Sequence, residues 1–174
     1  MLQTILTALY FIFPAYVANM APVFAKALNL PLGKPIHTEL FGENKTWRGG
    51  YSAYLFAFGI ASLQIFFFQK NFFTSVSYLS YTDWNPFLLA FLFGIGALFG
   101  DLVKSFFKRR LKIKSGAPWP PFDQLDFILG VLLFFAFFKP IPWNITIVLI
   151  IITPLLHLLS NIMAYFLGLK KIWW

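Results

Sequence analysis

The segment from Trp84 to Arg110 reads WNPFLLAFLFGIGALFGDLVKSFFKRR, and the fold follows from how it divides. From Trp84 to Gly100 it carries no charge; then come Asp101, Lys104, Lys108, Arg109 and Arg110. Crossing a hydrocarbon core about 30 Å thick takes roughly 20 helical residues. The uncharged part alone falls short, so the helix must continue through Asp101 to about Phe107. A carboxylate drawn into a membrane helix costs up to about 2.5 to 3.5 kcal/mol at its centre. A cation is therefore expected beside it.

Outward from this segment, further uncharged runs cover 1–25, 49–69, 127–138 and 140–169. The run 127–138 approaches spanning length only when extended back to Phe122, which takes in Asp123 and Asp126. The expected fold is an all-α integral membrane protein forming a single membrane domain over 1–174. Its five transmembrane helices lie at about 2–25, 49–69, 84–107, 122–138 and 142–168, with polar loops at about 26–48 and 108–121. The first run lacks a basic leader and a small-residue cleavage site, so it is expected to be a retained helix, bent near Pro14. Composition agrees: 59% of the 174 residues are hydrophobic and 11% charged, against about 25% charged in soluble domains. With no cysteine, disulfide and thiolate chemistry are excluded.

The net charge of +8 would indicate nucleic acid in a soluble protein, but here it reports topology. Lys26, Lys34, Lys45, Arg48, the six basic residues from Lys104 to Lys114, Lys170 and Lys171 fall on one side of the five spans. Only Lys70 and Lys139 fall on the other. The positive-inside rule makes the first side cytoplasmic, with the N-terminus outside and the C-terminus inside. Glu39, Glu43, Asp101, Asp123 and Asp126 share that side, and Asp83 lies opposite. Charged chemistry is thus expected to face the cytoplasm, with no nucleic acid polymer as partner. The histidines, His37 in a Pro-flanked loop and His157 on an apolar span, lack metal-ligand spacing and are expected to be structural.

Three stretches could carry chemistry. On a helix, Asp101, Lys104, Ser105 and Lys108 recur at i, i+3, i+4 and i+7 and share one stripe, suited to an anion held through a divalent metal. In PWPPFDQLDF, from Pro118 to Phe127, Pro121 leads into a helix whose first turns place Asp123 and Asp126 on one face. With Asp101 they make an oxygen cage suited to one or two Mg²⁺ ions, which keep waters and take carboxylates plus substrate phosphates. In GENKTWRGG, from Gly42 to Gly50, the side chains of Asn44, Lys45, Thr46 and Arg48 and the amide of Gly49 could clamp a phosphate or a nucleotide; the alternative is a solvated turn.

Together these stretches resemble the membrane CDP-lipid synthases, the phosphatidate cytidylyltransferase family, and most closely its archaeal branch. Ser105, Lys108, Arg109 and Lys114 match the opening of the family signature, and Asp123 and Asp126 match its closing acid pair. The N-K-T-x-R-G of archaeal members is present from Asn44 to Gly49, and P-W followed by D-Q-x-D-F from Pro118 to Phe127. Ser115 stands in place of Asp, Gln124 in place of Arg, and Trp119-Pro120-Pro121 in place of a Gly-rich stretch.

The resemblance implies that CTP and an isoprenoid ether-lipid phosphate give a CDP-lipid and pyrophosphate at the membrane. Asp101, Asp123 and Asp126 would hold Mg²⁺. Lys104, Lys108 and Arg109 would neutralise phosphates, and Asn44, Lys45, Thr46 and Arg48 would grip the nucleotide. The alternative is a small cation or solute transporter using the intramembrane carboxylates, which would require charge inside more of the spans. The D-x-x-x-D pattern of CDP-alcohol phosphotransferases is missing.

Overall fold

A computed structural model describes residues 1–114 and 117–166. Ser115, which the resemblance sets against Asp, and the tail with Lys170 and Lys171 lie outside the described residues. Helix α1 (Leu2–Ala27) carries Pro14 and Pro22 within it and runs without a break. The bend expected at Pro14 does not end the helix: an apolar span tolerates proline where neighbouring helices pack against it, and Pro14 is buried. A short helix, α2 (Thr38–Phe41), is capped by His37, whose Nδ1 accepts from the Leu40 amide.

Helix α3 (Trp47–Gln69) starts two residues earlier than expected, because Thr46 Oγ1 accepts from the Gly49 amide at 3.2 Å and caps it. Asn85 and Pro86 open the third long helix. This passes from α4 (Pro86–Ala90) through a π-helical turn at Phe91–Ile95 into α5 (Gly96–Arg110). It outruns the expected end at 107, since Lys108, Arg109 and Arg110 complement the helix dipole in the last turn. Helix α6 (Phe122–Ala136) follows, and α7 (Trp143–Phe166) closes the described chain.

Among the described residues the fold is all-helical, apart from one isolated antiparallel bridge between Pro35 and Thr46. Leu2–Ala27, Trp47–Gln69 and Pro86–Arg110 are long and apolar enough to cross a membrane, and Trp143–Leu159 is a shorter apolar stretch. Large apolar side chains such as Phe13, Leu55, Phe91, Leu129 and Ile151 point outward along the long helices. An aqueous surface does not carry such a coat, so the protein is membrane-embedded.

Two regions of the interior differ in character. Toward one end, Phe11 makes edge contacts with Tyr78, Phe93 and Phe135, centroids 5.0 to 5.7 Å apart, in an aromatic core. Toward the other, α5 and α6 approach so closely that glycine is required. A Cβ on Gly100 would lie 2.0 Å from the Asp126 carbonyl oxygen, and one on Gly130 2.1 Å from that of Gly96. Such small-residue contacts bring helix backbones together in membranes, and here they bring Asp101 and Lys104 against Asp126.

Candidate active site

The close packing of α5 on α6 sets three carboxylates around one ammonium group. Lys104 Nζ lies 3.1 Å from Asp101 Oδ1, 3.1 Å from Asp123 Oδ1 and 2.5 Å from Asp126 Oδ2. Two more lysines surround this centre. Lys45, from the turn before α3, reaches Asp101 Oδ2 at 2.5 Å. Lys108 meets both oxygens of Asp123 at 3.2 and 3.3 Å and donates to the Ala117 carbonyl. Three carboxylates and three ammonium groups cancel.

Each acid is held from behind as well. Asp123 Oδ2 accepts from the Trp119 amide at 2.5 Å, tying the Pro-rich approach to the first turn of α6, and Asp126 Oδ1 accepts from the Phe127 amide at 2.7 Å. Asp126 is the most enclosed of the three, its side chain 3% exposed. A buried charge of this kind is kept only by a hydrogen-bonded partner, and Lys104 supplies it. The cation expected beside the membrane carboxylates is present.

The remaining predicted residues divide. Ser105 is buried, its hydroxyl donating to the Asp101 carbonyl at 2.7 Å. Asn44, Lys45, Ser105, Lys108 and Arg109 join Lys104, Asp123 and Phe41 around a polar pocket of about 250 Å³, in which the buried Arg109 Nε has no hydrogen-bond partner among the described residues. Thr46 and Gly49 instead line a second chamber beneath Lys45. Arg48 turns away: its guanidinium donates to the Leu30 carbonyl at 2.9 Å and packs under Gly33, so it braces the loop after α1. Lys114 lies beyond α5, and its side chain enters no ion pair among the described residues.

On the other side of Lys104 is an apolar groove of about 430 Å³ between α5 and α6. It is lined by Phe99, Val103, Phe107, Trp119, Phe122, Leu129 and Leu133, with Lys104 and Asp126 at its polar end. Lys104 therefore belongs to both the groove and the basic pocket. Its central position, the glycine contact and the π-helical turn were not read from the sequence, although Gly96-x-x-x-Gly100 carries the spacing of a close helix contact.

Among the described residues no three acids stand in a ready metal-ligand arrangement, because an ammonium group takes the point at which their oxygens meet. The donor set is nonetheless that of a hard divalent cation, which takes carboxylates and keeps several waters. Asp101, Asp123 and Asp126 carry oxygens of the chemical kind such an ion takes, and Lys104 Nζ lies among them.

Fold and site together define a membrane-embedded helical protein with a charge-balanced carboxylate and lysine centre, set where an apolar groove meets a basic pocket. The sequence matches the CarS-like family, CDP-archaeol synthase, over residues 1–174. It is 39% identical to the CDP-archaeol synthase of Methanocaldococcus jannaschii over 175 residues, covering 99% of this chain and 98% of that protein. With the CDP-archaeol synthase of Thermococcus onnurineus it shares 35% identity over 181 residues, covering 99% of each. A solved structure of an intramembrane enzyme for archaeal membrane lipid biosynthesis superposes with a TM-score of 0.69 at 29% identity, covering 89% of this chain and 92% of that one. The chain belongs to the CDP-archaeol synthase family. Membership of an enzyme family leaves the transporter alternative without support.

Proposed function

We propose that the chain transfers a cytidylyl group from CTP to an unsaturated archaeal ether-lipid phosphate, giving CDP-archaeol and pyrophosphate. The observation that carries this reading is the position of Lys104, shared by an apolar groove suited to isoprenoid chains and a basic pocket suited to a triphosphate. A lipid phosphate arriving from the bilayer and a nucleotide arriving from water meet at that residue. A phosphate monoester is already an anionic nucleophile near neutral pH, so no strong general base is required.

In the proposed step a lipid phosphate oxygen forms a bond to the α-phosphorus of CTP in line with the departing group. The bond from that phosphorus to the bridging oxygen breaks, and the electron pair leaves on pyrophosphate. The protein's task is positioning and charge neutralisation. Lys108 and Arg109 are assigned to the triphosphate, Lys104 to the lipid phosphate and Lys45 to the boundary of the nucleotide pocket, with Asn44 beside it. Mg²⁺, one ion or two, held by Asp101, Asp123 and Asp126, would supply neutralisation of phosphate oxygens. Thr46 contributes through the cap that fixes Lys45, and Arg48 through the loop it braces.

Five transmembrane spans, with the N-terminus outside and the Lys45 and Lys104 to Pro121 regions on the cytoplasmic side, complete the proposal. Its support is the distribution of basic residues under the positive-inside rule.

The test is to incubate the purified protein with Mg²⁺, each nucleoside triphosphate in turn and a geranylgeranyl ether-lipid phosphate. CTP should yield a nucleotide diphosphate lipid and pyrophosphate, and Asp123→Asn and Asp126→Asn should lower turnover at least about a hundredfold while remaining folded. No product with any nucleotide would overturn the reading, and near-normal turnover in either variant would remove that carboxylate from the site.

A further inference from the structure

The segment between α1 and α3, expected as a polar loop, holds large apolar side chains that face outward. Leu28, Leu32 and Trp47 are 68%, 63% and 58% exposed, at the boundary where α1 ends and α3 begins. Leu32 has a φ of 62°, in the left-handed region that a bulky side chain enters only at a cost. The backbone around it is tied to α3. The carbonyls of Leu30, Pro31, Leu32 and Lys34 accept from Arg48 Nη1, the Tyr51 hydroxyl, the Arg48 amide and the Trp47 amide, at 2.8 to 3.2 Å. These carbonyls do not depend on water for a partner, which suits a segment lying against hydrocarbon.

Beneath this segment lies an apolar cavity of about 620 Å³, within the range of about 300 to 1,000 Å³ typical of sites that hold small molecules. Leu32 and Ile36 line it from the segment, Trp47, Tyr51 and Tyr54 from α3, and Leu98 from α5. It shares no lining residue with the groove between α5 and α6, so the two are separate sites. From Trp47 to Tyr54 the α3 wall runs about 10 Å at 1.5 Å per residue, enough for the first part of a lipid chain. Lys34 stands between Leu32 and Ile36 in the chain, and Lys26 in the last turn of α1. Neither ammonium group enters an ion pair among the described residues.

We infer that this cavity holds one chain of an anionic phospholipid of the surrounding leaflet, with Lys34 on its phosphate and Leu28, Leu32 and Trp47 seated at the membrane boundary. Continuity and charge decide the occupant. The segment follows directly from a membrane helix, Trp favours the interface, and a lysine beside inserted apolar side chains meets headgroup phosphates. The same segment reaches the site already described, because the Ile36 amide donates to the Lys45 carbonyl at 2.7 Å. A lipid seated beneath it therefore also steadies the turn that carries Lys45. The inference does not depend on the nucleotide-transfer reading.

The test strips the full-length protein of lipid in detergent and titrates it with phosphatidylglycerol, which is anionic, and phosphatidylcholine, which is neutral overall. Bound lipid is counted by native mass spectrometry. Wild type should hold its tightest phosphatidylglycerol about fivefold more firmly than phosphatidylcholine, the attraction of one lysine for an anionic headgroup. Lys34→Gln should lose that preference, leaving the two lipids within about twofold of each other. Ile36→Trp, which fills the cavity from the segment above it, should weaken both lipids at least about tenfold, whereas Leu133→Trp in the α5–α6 groove should leave them within about twofold. Should Ile36→Trp fail to fold, Leu32→Asp is held to the same outcome. Equal retention of the two lipids by wild type, unchanged binding in the cavity-filling variant, or loss of the lipid in Leu133→Trp instead overturns the inference. So does a lipid-free dimer that Leu32→Asp dissociates, which would give this face to a second copy of the chain.

Discussion

Lys104 has a double role, as the shared wall of groove and pocket and as the counter-ion of three acids. Removing one partner of a buried ion pair costs about 3 to 5 kcal/mol because the other charge is left uncompensated. Lys104→Met leaves Asp126, its side chain 3% exposed, without an ion-pair partner among the described residues. Melted in detergent with a chelator, this variant should be less stable than wild type by on the order of 3 kcal/mol. Saturating Mg²⁺ should restore more stability to it than to wild type, since an ion that binds only the folded state stabilises it by mass action. Equal melting temperatures in chelator would show that Lys104 is not the counter-ion. The pairing of Asp101 with Lys104 was legible in sequence, because three residues on a helix is one turn. Lys45 on Asp101 was not: fifty-six residues separate them, and only the folding of the Gly42 to Gly50 turn over α5 joins them.

At the scale of elements, the site exists because α5 and α6 are nearly in backbone contact. Gly100→Ala would drive a methyl group to 2.0 Å from the Asp126 carbonyl oxygen, and its nearest neighbours are backbone atoms of Asp126 and Gly130, which cannot swing aside as a side chain would. The helices must separate, carrying Lys104 from Asp126. Turnover should drop at least about tenfold with helix content retained by circular dichroism, an overpacking cost of about 1 to 3 kcal/mol. Gly59→Ala, with nothing within 4 Å of the added Cβ, should be neutral or stabilising by up to about 1 kcal/mol. Wild-type turnover in Gly100→Ala would show that the contact does not position the acids. The helices themselves were largely legible, since uncharged runs and flanking charges bound each to within a few residues. Their mutual closeness was not, because hydropathy counts glycine as one more apolar residue and says nothing of what lies opposite. The π-helical turn at Phe91–Ile95 had no signal in the pattern of apolar residues.

For the whole molecule, the aromatic core and the ionic cluster divide the bundle into an apolar end and a charged end. If the basic residues face the cytoplasm, substrates reach the cluster from one side only. In proteoliposomes of uniform orientation, CTP should be consumed only when offered to the face bearing the Lys104 to Pro121 region, with less than about one tenth of that rate from the other face. Equal rates from both faces would overturn the orientation. The charge distribution supplies an expectation of sidedness for this experiment to check; the internal neutrality of the site was not legible, because the sequence shows which residues are charged and not which of them meet. That neutrality bears on how the protein is made. A nascent helix delivering Asp126 or Asp101 to the bilayer finds its neutralising lysine on the same polypeptide. The counter-charge that membrane insertion requires thus travels with the chain itself.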